Sequence, residues 1–253
     1  SEYAWYVKGW ILKSQERHAE AIPFFKKALE FNDREKSYFG LGYCYGQLGN
    51  DDLAIIYYKK TSQDNYDSLF NLGNRFSSKG DFEKAIEYYR KALEFKDIPD
   101  GGFYACIRYE IEALSELEKW QEVTDLCEEN PFLLEFEEDY GSEVTHKLSI
   151  IRECMVCYFN QKEYDKALNI STLWLDKINQ IKWPKYGNDD ETKEGTEFHA
   201  NIWQGWILQH IEQFDDAKNH YEIAINVGNG DAKNDNEAYL YLGDLLNYKI
   251  EDY

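Results

Sequence analysis

Along the chain, apolar positions recur at helical spacing, break at a short polar turn, and recur again, and this cadence repeats. Residues 4–33 read AWYVKGWILKSQERHAEAIPFFKKALEFND, 37–62 read SYFGLGYCYGQLGNDDLAIIYYKKTS, and 68–97 read SLFNLGNRFSSKGDFEKAIEYYRKALEFKD. In each segment a glycine (Gly9, Gly42, Gly73) precedes an alanine (Ala21, Ala54, Ala85) by twelve residues, and four residues past the alanine stands a ring: Phe25, Tyr58, Tyr89. Successive glycines lie 33 and then 31 residues apart. The tetrapeptide Gly9-Trp10-Ile11-Leu12 returns as Gly205-Trp206-Ile207-Leu208, again with an alanine, Ala217, twelve residues after the glycine. The period predicts helix hairpins, because Gly and Ala are small where two helices approach while the aromatics fill the space to the next hairpin. Burying one such ring removes about 150–250 Å² from water, or roughly 4–6 kcal/mol gross before ordering entropy. Aromatics make up 17% of the chain, and the repeat accounts for that excess.

The sets Leu41-Gly42, Tyr45, Ala54, Tyr58 and Leu72-Gly73, Phe76, Gly80, Ala85, Tyr89, Ala92 resemble the tetratricopeptide repeat, whose pattern of about 34 residues is W-x₂-L-G-x₂-Y…A-x₃-F…P. Gly205, Leu208, Phe214, Ala217, Tyr221 and Ala224 form another regular unit. Two degenerate units fall between, one around Leu114, Trp120 and Val123 with Ile111 in the glycine place, the other around Tyr158, Tyr164 and Ala167 with Met155 there. Tyr239, Leu242-Gly243 and Leu246 read as the first helix of a seventh unit. The resemblance implies an all-α fold, an α-solenoid of stacked helix hairpins (a TPR superhelix) with about six repeats plus a C-terminal capping helix. The expected organisation is three regular units over 2–97, a degenerate repeat and acidic linker over 98–146, a degenerate repeat with a polar insertion over 147–197, and a regular unit with the capping helix over 198–253. Breaker clusters at Pro99-Asp100-Gly101-Gly102 and Asn130-Pro131 mark two of the joints.

In that family the first helices of successive hairpins line a groove, and the residues three before and one after the glycine face it. Carried onto this chain, the resemblance implies partner-binding positions at Tyr6 and Trp10, Phe39 and Tyr43, Phe70 and Asn74, Arg108 and Glu112 with Glu116 beyond, Arg152, and Trp206 with His210 beyond. Each ring is open to two readings, as a ligand contact or as packing between adjacent first helices. Tyr6 and Phe39 stand where members that grip a C-terminal carboxylate carry basic residues, so no such clamp is expected.

Charge is distributed unevenly within a net of -20. Residues 1–109 hold 16 acids and 16 bases, residues 110–143 hold 13 acids and one base, Lys119, and residues 144–253 hold 19 acids and 11 bases. The acidic run is either a solvated face or a docking surface for a basic partner, steered by a field reaching about 8 Å. Phe132-Leu133-Leu134-Glu135-Phe136 inside it would suit an amphipathic basic ligand. Nucleic acid is disfavoured, since phosphate neutralisation needs a basic stripe.

The five histidines show no HExxH spacing, and neither a phosphate-cradling glycine loop nor a nucleophile elbow occurs. Cys154-Met155-Val156-Cys157 lies inside an expected helix, where small core packing is the reading, since a redox pair belongs at a helix start. No metal, cofactor or catalytic residue is expected. No apolar run approaches the roughly 20 residues that span a bilayer, so no membrane role is expected, and five scattered cysteines suit the cytoplasm. The expectation is a non-catalytic scaffold that binds a protein or peptide of basic or amphipathic character in the groove. The alternative is a dedicated neutraliser or chaperone that sequesters one basic protein. An enzyme with its site in the 179–197 insertion is a third class without a motif behind it. The oligomeric state is open.

Overall fold

The computed structural model describes residues 2–31, 34–61, 65–98, 101–135, 141–183, 192–228 and 238–245. Pro99, Asp100, Phe136, Leu246 and most of the polar insertion, 184–191, lie outside that set. The regular elements are helical: α1 (Glu2–Ser14), α2 (His18–Leu29), α3 (Arg34–Gln47), α4 (Asp51–Tyr58), α5 (Tyr66–Ser78), α6 (Phe82–Leu93), α7 (Gly102–Glu116), α8 (Trp120–Glu129), a 3-10 turn (Pro131–Leu134), α9 (Ser142–Asn160), α10 (Tyr164–Gln180), α11 (Lys193–His210) and α12 (Phe214–Val227). A further helix, α13, covers 238–245.

The chain divides into two compact units, Ser1–Leu117 and Glu118–Tyr253. In the first, each helix packs on the next, and α1, α3, α5 and α7 also touch in sequence, so the first helices lie side by side. In the second, α8 packs on α9, α9 on α10, α10 on α11 and α11 on α12.

One backbone feature marks the register throughout. A left-handed residue stands seven positions past each glycine place: Glu16 (φ 60°), Gly49 (74°), Gly80 (75°), Glu118 (55°), Lys162 (63°) and Glu212 (62°). The set includes the positions counted from Ile111 and Met155, so all six repeats keep the same helix-ending turn. In five of the six the next residue closes it by donating its N–H back to the first helix, from Arg17 to the Leu12 carbonyl (3.0 Å), Asn50 to Tyr45 (2.8 Å), Asp81 to Phe76 (3.0 Å), Glu163 to Tyr158 (2.9 Å) and Gln213 to Leu208 (2.9 Å). This is the bonding of a Schellman C-cap. Second helices then start on short polar side chains where these are present: Asn50 accepts from the Leu53 N–H (3.1 Å) and Asp81 from that of Lys84 (3.4 Å).

The recurring glycines are seats for rings. A Cβ on Gly9 would stand 3.0 Å from Phe25, on Gly42 2.8 Å from Tyr58, on Gly73 2.4 Å from Tyr89, and on Gly205 2.6 Å from Tyr221. The ring sixteen residues on therefore packs inside its own hairpin as well as against the next, and Phe25 does both, meeting a Cβ on Gly40 of α3 at 2.6 Å. The degenerate repeats invert the sizes at these two places. Ile111 is followed sixteen residues on by Cys127, and Met155 by Ser171, and all four are buried. Where the first helix supplies bulk, the second gives it up, which conserves core volume.

Candidate functional site

On the first unit, the face of α1, α3, α5 and α7 collects the expected positions, with different surroundings for each. Trp10 is 51% exposed. Tyr6 is half-buried against Phe25, ring centroids 6.1 Å apart, with the Lys36 ammonium 5.9 Å from its own ring. Phe39 meets Tyr58 edge-on at 5.6 Å. Tyr43 is covered by the Lys13 ammonium, 4.3 Å from its centroid, and by the edge of His18 at 5.8 Å. Such cation contacts hold about 0.5–1 kcal/mol each where solvent reaches them.

Farther along the same face, Phe70 packs on Tyr109 of α7 at 5.6 Å and on Tyr89 at 6.0 Å. Asn74 accepts a hydrogen bond on Oδ1 from the Tyr89 hydroxyl (2.8 Å), so it is already engaged in holding the ring that fills the Gly73 seat. Burial pushes the Tyr89 hydroxyl well above the usual phenol range, which keeps it a donor. Arg108 lies 4.2 Å over Tyr109 and 3.6 Å from the Glu112 carboxylate one turn on, while Glu116 is exposed.

The second unit builds an aromatic group of half-buried rings with an exposed His210 at its side. Trp206 stacks on Phe159 of α9 (5.3 Å, 28°) and lies 5.1 Å from Trp203 and 6.0 Å from Tyr241 of α13. The His210 ring meets Phe159 edge-on at 4.8 Å and Tyr164 at 5.6 Å, and its Nδ1 is 2.8 Å from the Trp206 carbonyl, to which the Nδ1–H tautomer donates. Trp206 is therefore a packing residue between neighbouring first helices. Arg152 is exposed and paired with Glu153 at 2.9 Å.

A search of curated proteins finds no match to this sequence. Two families described as tetratricopeptide repeat do match, one over residues 2–34 and 35–60, the other over 66–96. Residues 2–60 and 66–96 are tetratricopeptide repeats. Solved structures similar to it agree on the fold: PilF of Pseudomonas aeruginosa, 14% identical with a TM-score of 0.58, aligns over 93% of this chain and 95% of its own. YrrB, described as a TPR protein with an unusual peptide-binding site, is 16% identical with a TM-score of 0.55, covering 85% of this chain and 97% of its own. The Cut9–Hcn1 structure of the APC/C is 12% identical with a TM-score of 0.54 over 97% of this chain and 43% of that one. The tetratricopeptide repeats support a protein-interaction scaffold.

Part of the acidic run of this repeat protein is used internally. Glu110, 4% exposed, receives the Arg90 guanidinium at 2.6 Å and ties α6 to α7. Glu128 accepts from the Tyr158 hydroxyl (2.7 Å) and pairs with Lys166 (3.1 Å), and these partners hold its carboxyl below the usual range. Glu143 pairs with Lys147 at 2.9 Å. Leu133, expected as a ligand anchor, is instead 0% exposed, because the 3-10 turn that carries it packs on α8 and α9; Phe132 is 43% exposed.

Among the described residues, no group of three or more His, Cys, Asp or Glu is set to hold a metal ion, and no helix is long and apolar enough to cross a membrane. Cys154 and Cys157 are buried thiols in the core of α9, and the neighbouring Cys127 and burial both push the Cys154 thiol far up, away from the reactive thiolate. The residues that sequence reasoning missed are the second layer: Lys13, His18, Tyr109, Phe159 and Trp203. Phe159 stands one helical turn past Val156, a groove place, so extending each face by i, i+3 would have found it.

Proposed function

We propose that this chain is a non-catalytic scaffold that holds a peptide or protein segment of basic or amphipathic character on the first-helix face of its 1–117 unit. One observation carries the reading: Trp10 is half exposed on a face whose other rings are already engaged by neighbours. An indole at the centre of a contact is a common energetic anchor, worth about 2 kcal/mol or more. Glu112 and the exposed Glu116 at the α7 end of the face favour a cationic ligand. Tyr6, Phe39, Tyr43, Phe70 and Asn74 then act as the shaped wall, and Arg108 holds Glu112 in place.

The test is fluorescence anisotropy with labelled Lys/Leu amphipathic peptides and Glu/Leu counterparts. The Lys peptides bind, Trp10→Ala weakens them by about 30-fold, and Glu112→Lys with Glu116→Lys weakens them further and flattens the salt dependence. Unchanged affinity and salt slope in all variants would overturn the proposal.

The exposed Glu118, Asp125 and Glu129 support a second reading, a neutraliser that sequesters one basic protein. Affinity capture from the native host followed by mass spectrometry separates the two: a single stoichiometric complex favours the neutraliser, several weaker partners the scaffold. Five buried thiols suit the cytoplasm as its compartment.

A further inference from the structure

A cleft of about 870 Å³ is lined by Tyr58, Lys59 and Thr61 at the end of α4, Ser68, Leu69 and Leu72 of α5, and Tyr88, Lys91, Glu94, Phe95 and Lys96 at the end of α6. Its α4 wall departs from the repeat. The second helix of the other regular hairpins in this unit runs twelve residues, but α4 runs eight. At the place of Ala28 and Ala92, the second repeat has Thr61, whose hydroxyl turns back to the Tyr58 carbonyl, and at the place of Phe31 and Phe95 it has Asp64. α4 thus ends about one turn short of its counterparts α2 and α6.

The walls have a definite chemistry. Leu69, Leu72, Phe95 and the Tyr58 and Tyr88 rings make an apolar floor, and three lysines against one glutamate make a cationic rim. Lys91 is partly engaged by Glu87 at 2.6 Å, Lys59 lies 5.4 Å over the Phe76 ring, and Lys96 has no ion pair among the described residues. Ser68 and Leu69 sit in the first turn of α5, where the helix dipole adds positive potential. Ser68 is 1% exposed and its hydroxyl has no hydrogen-bond partner, a cost of about 1–3 kcal/mol when it stays unmet. The volume falls in the range of about 300–1,000 Å³ typical of small-ligand sites.

We propose that this cleft binds a carboxylate carried on a short apolar body, with the lysines on the carboxylate and the leucines and Phe95 on the body. Two sources offer that chemistry, the C-terminal end of a peptide and a medium-chain fatty acid. The full chain is titrated calorimetrically at low ionic strength with acetyl-Leu-Phe as the free acid, with the same dipeptide as its amide, and with octanoate. At least one of the two acids binds, and which one identifies the source. The amide binds about tenfold or more weakly than its acid if the peptide is the ligand. Lys91→Gln with Lys96→Gln, both exposed and safe for folding, lowers the acid's affinity by a similar factor, whereas Trp10→Ala leaves it unchanged and separates this site from the first-helix face. No binding by either acid, equal binding of peptide acid and amide without octanoate binding, or indifference to the double lysine variant would overturn the proposal.

Discussion

Gly-Trp-Ile-Leu occurs at 9–12 and again at 205–208, and in both copies the glycine seats a ring from the following helix and the leucine is buried, yet Ile11 is 44% exposed and Ile207 0%. The indoles diverge in the same way. Trp10 faces solvent, while Trp206 is stacked among Phe159, Trp203 and Tyr241. The cause lies outside the tetrapeptide: α1 packs on α2 and α3, whereas α11 packs on α10 and α12, and residues of α13 join its core cluster. In a stacked array, burial belongs to the interface between neighbours, and identical letters acquire different energies from their position in the stack.

The largest test of that difference is the isoleucine pair. Ile207→Ala is expected to cost about 3 kcal/mol through the cavity it leaves, and Ile11→Ala under about 0.5 kcal/mol, both measured by urea denaturation. Equal costs would mean that the two copies share one environment.

The glycine seats come next. An alanine at Gly205 meets the Tyr221 ring at 2.6 Å, against 3.0 Å for Phe25 at Gly9. Overpacking costs about 1–3 kcal/mol and helix propensity returns about 1 kcal/mol. Gly205→Ala should therefore lose about 1–2 kcal/mol, and Gly9→Ala about 0.5 kcal/mol or less. A sharper version borrows the inverted pair of the fifth repeat: Gly205→Met with Tyr221→Ser, copying Met155 and Ser171, should be more stable than Gly205→Met alone.

The left-handed turns should behave alike in the two copies, because they are local. Glu16→Gly and Glu212→Gly each relieve a side chain from φ near 60° and are expected to raise stability by about 0.5–1 kcal/mol. A large gain in one and none in the other would show that stacking strains one of the turns.

The smallest effect is confined to the second copy. His220 is half-buried, its Nδ1 2.9 Å from Asn201 Oδ1, and burial lowers its pKa against the opposing pull of Asp216. A folded-state pKa below the unfolded value means that the unfolded chain takes the proton first. Stability is thus full above about pH 6.5 and falls as pH drops toward the folded-state pKa. Melting curves across that window should lose part of their slope in His220→Asn.

The regular hairpins were legible because Gly9, Gly42, Gly73 and Gly205 stand at a fixed distance from their rings. The turns between helices were less so, since only Gly49 and Gly80 signal a left-handed residue by type, and Glu16, Glu118, Lys162 and Glu212 do the same job without a signature. The degenerate repeats read weakly for a related reason: Met155 and Ser171 satisfy the same packing with the sizes exchanged, and a pattern of single letters cannot register a conserved sum. Among the site residues, the positions on the first helices could be named in advance, but the engagement of Tyr43 by Lys13, of Asn74 by Tyr89 and of Glu112 by Arg108 could not.

Sequence alone determined the helix hairpin, its register and the ring that fills each glycine seat, because a ring sixteen positions from a glycine has one low-energy place to go. Tertiary structure decided which exposed letters are surface. Whether Trp10 and Trp206 face a partner or a neighbour depends on the helix stacked beside each, and that helix comes from a different repeat, whose side chains no local pattern around the tetrapeptide contains.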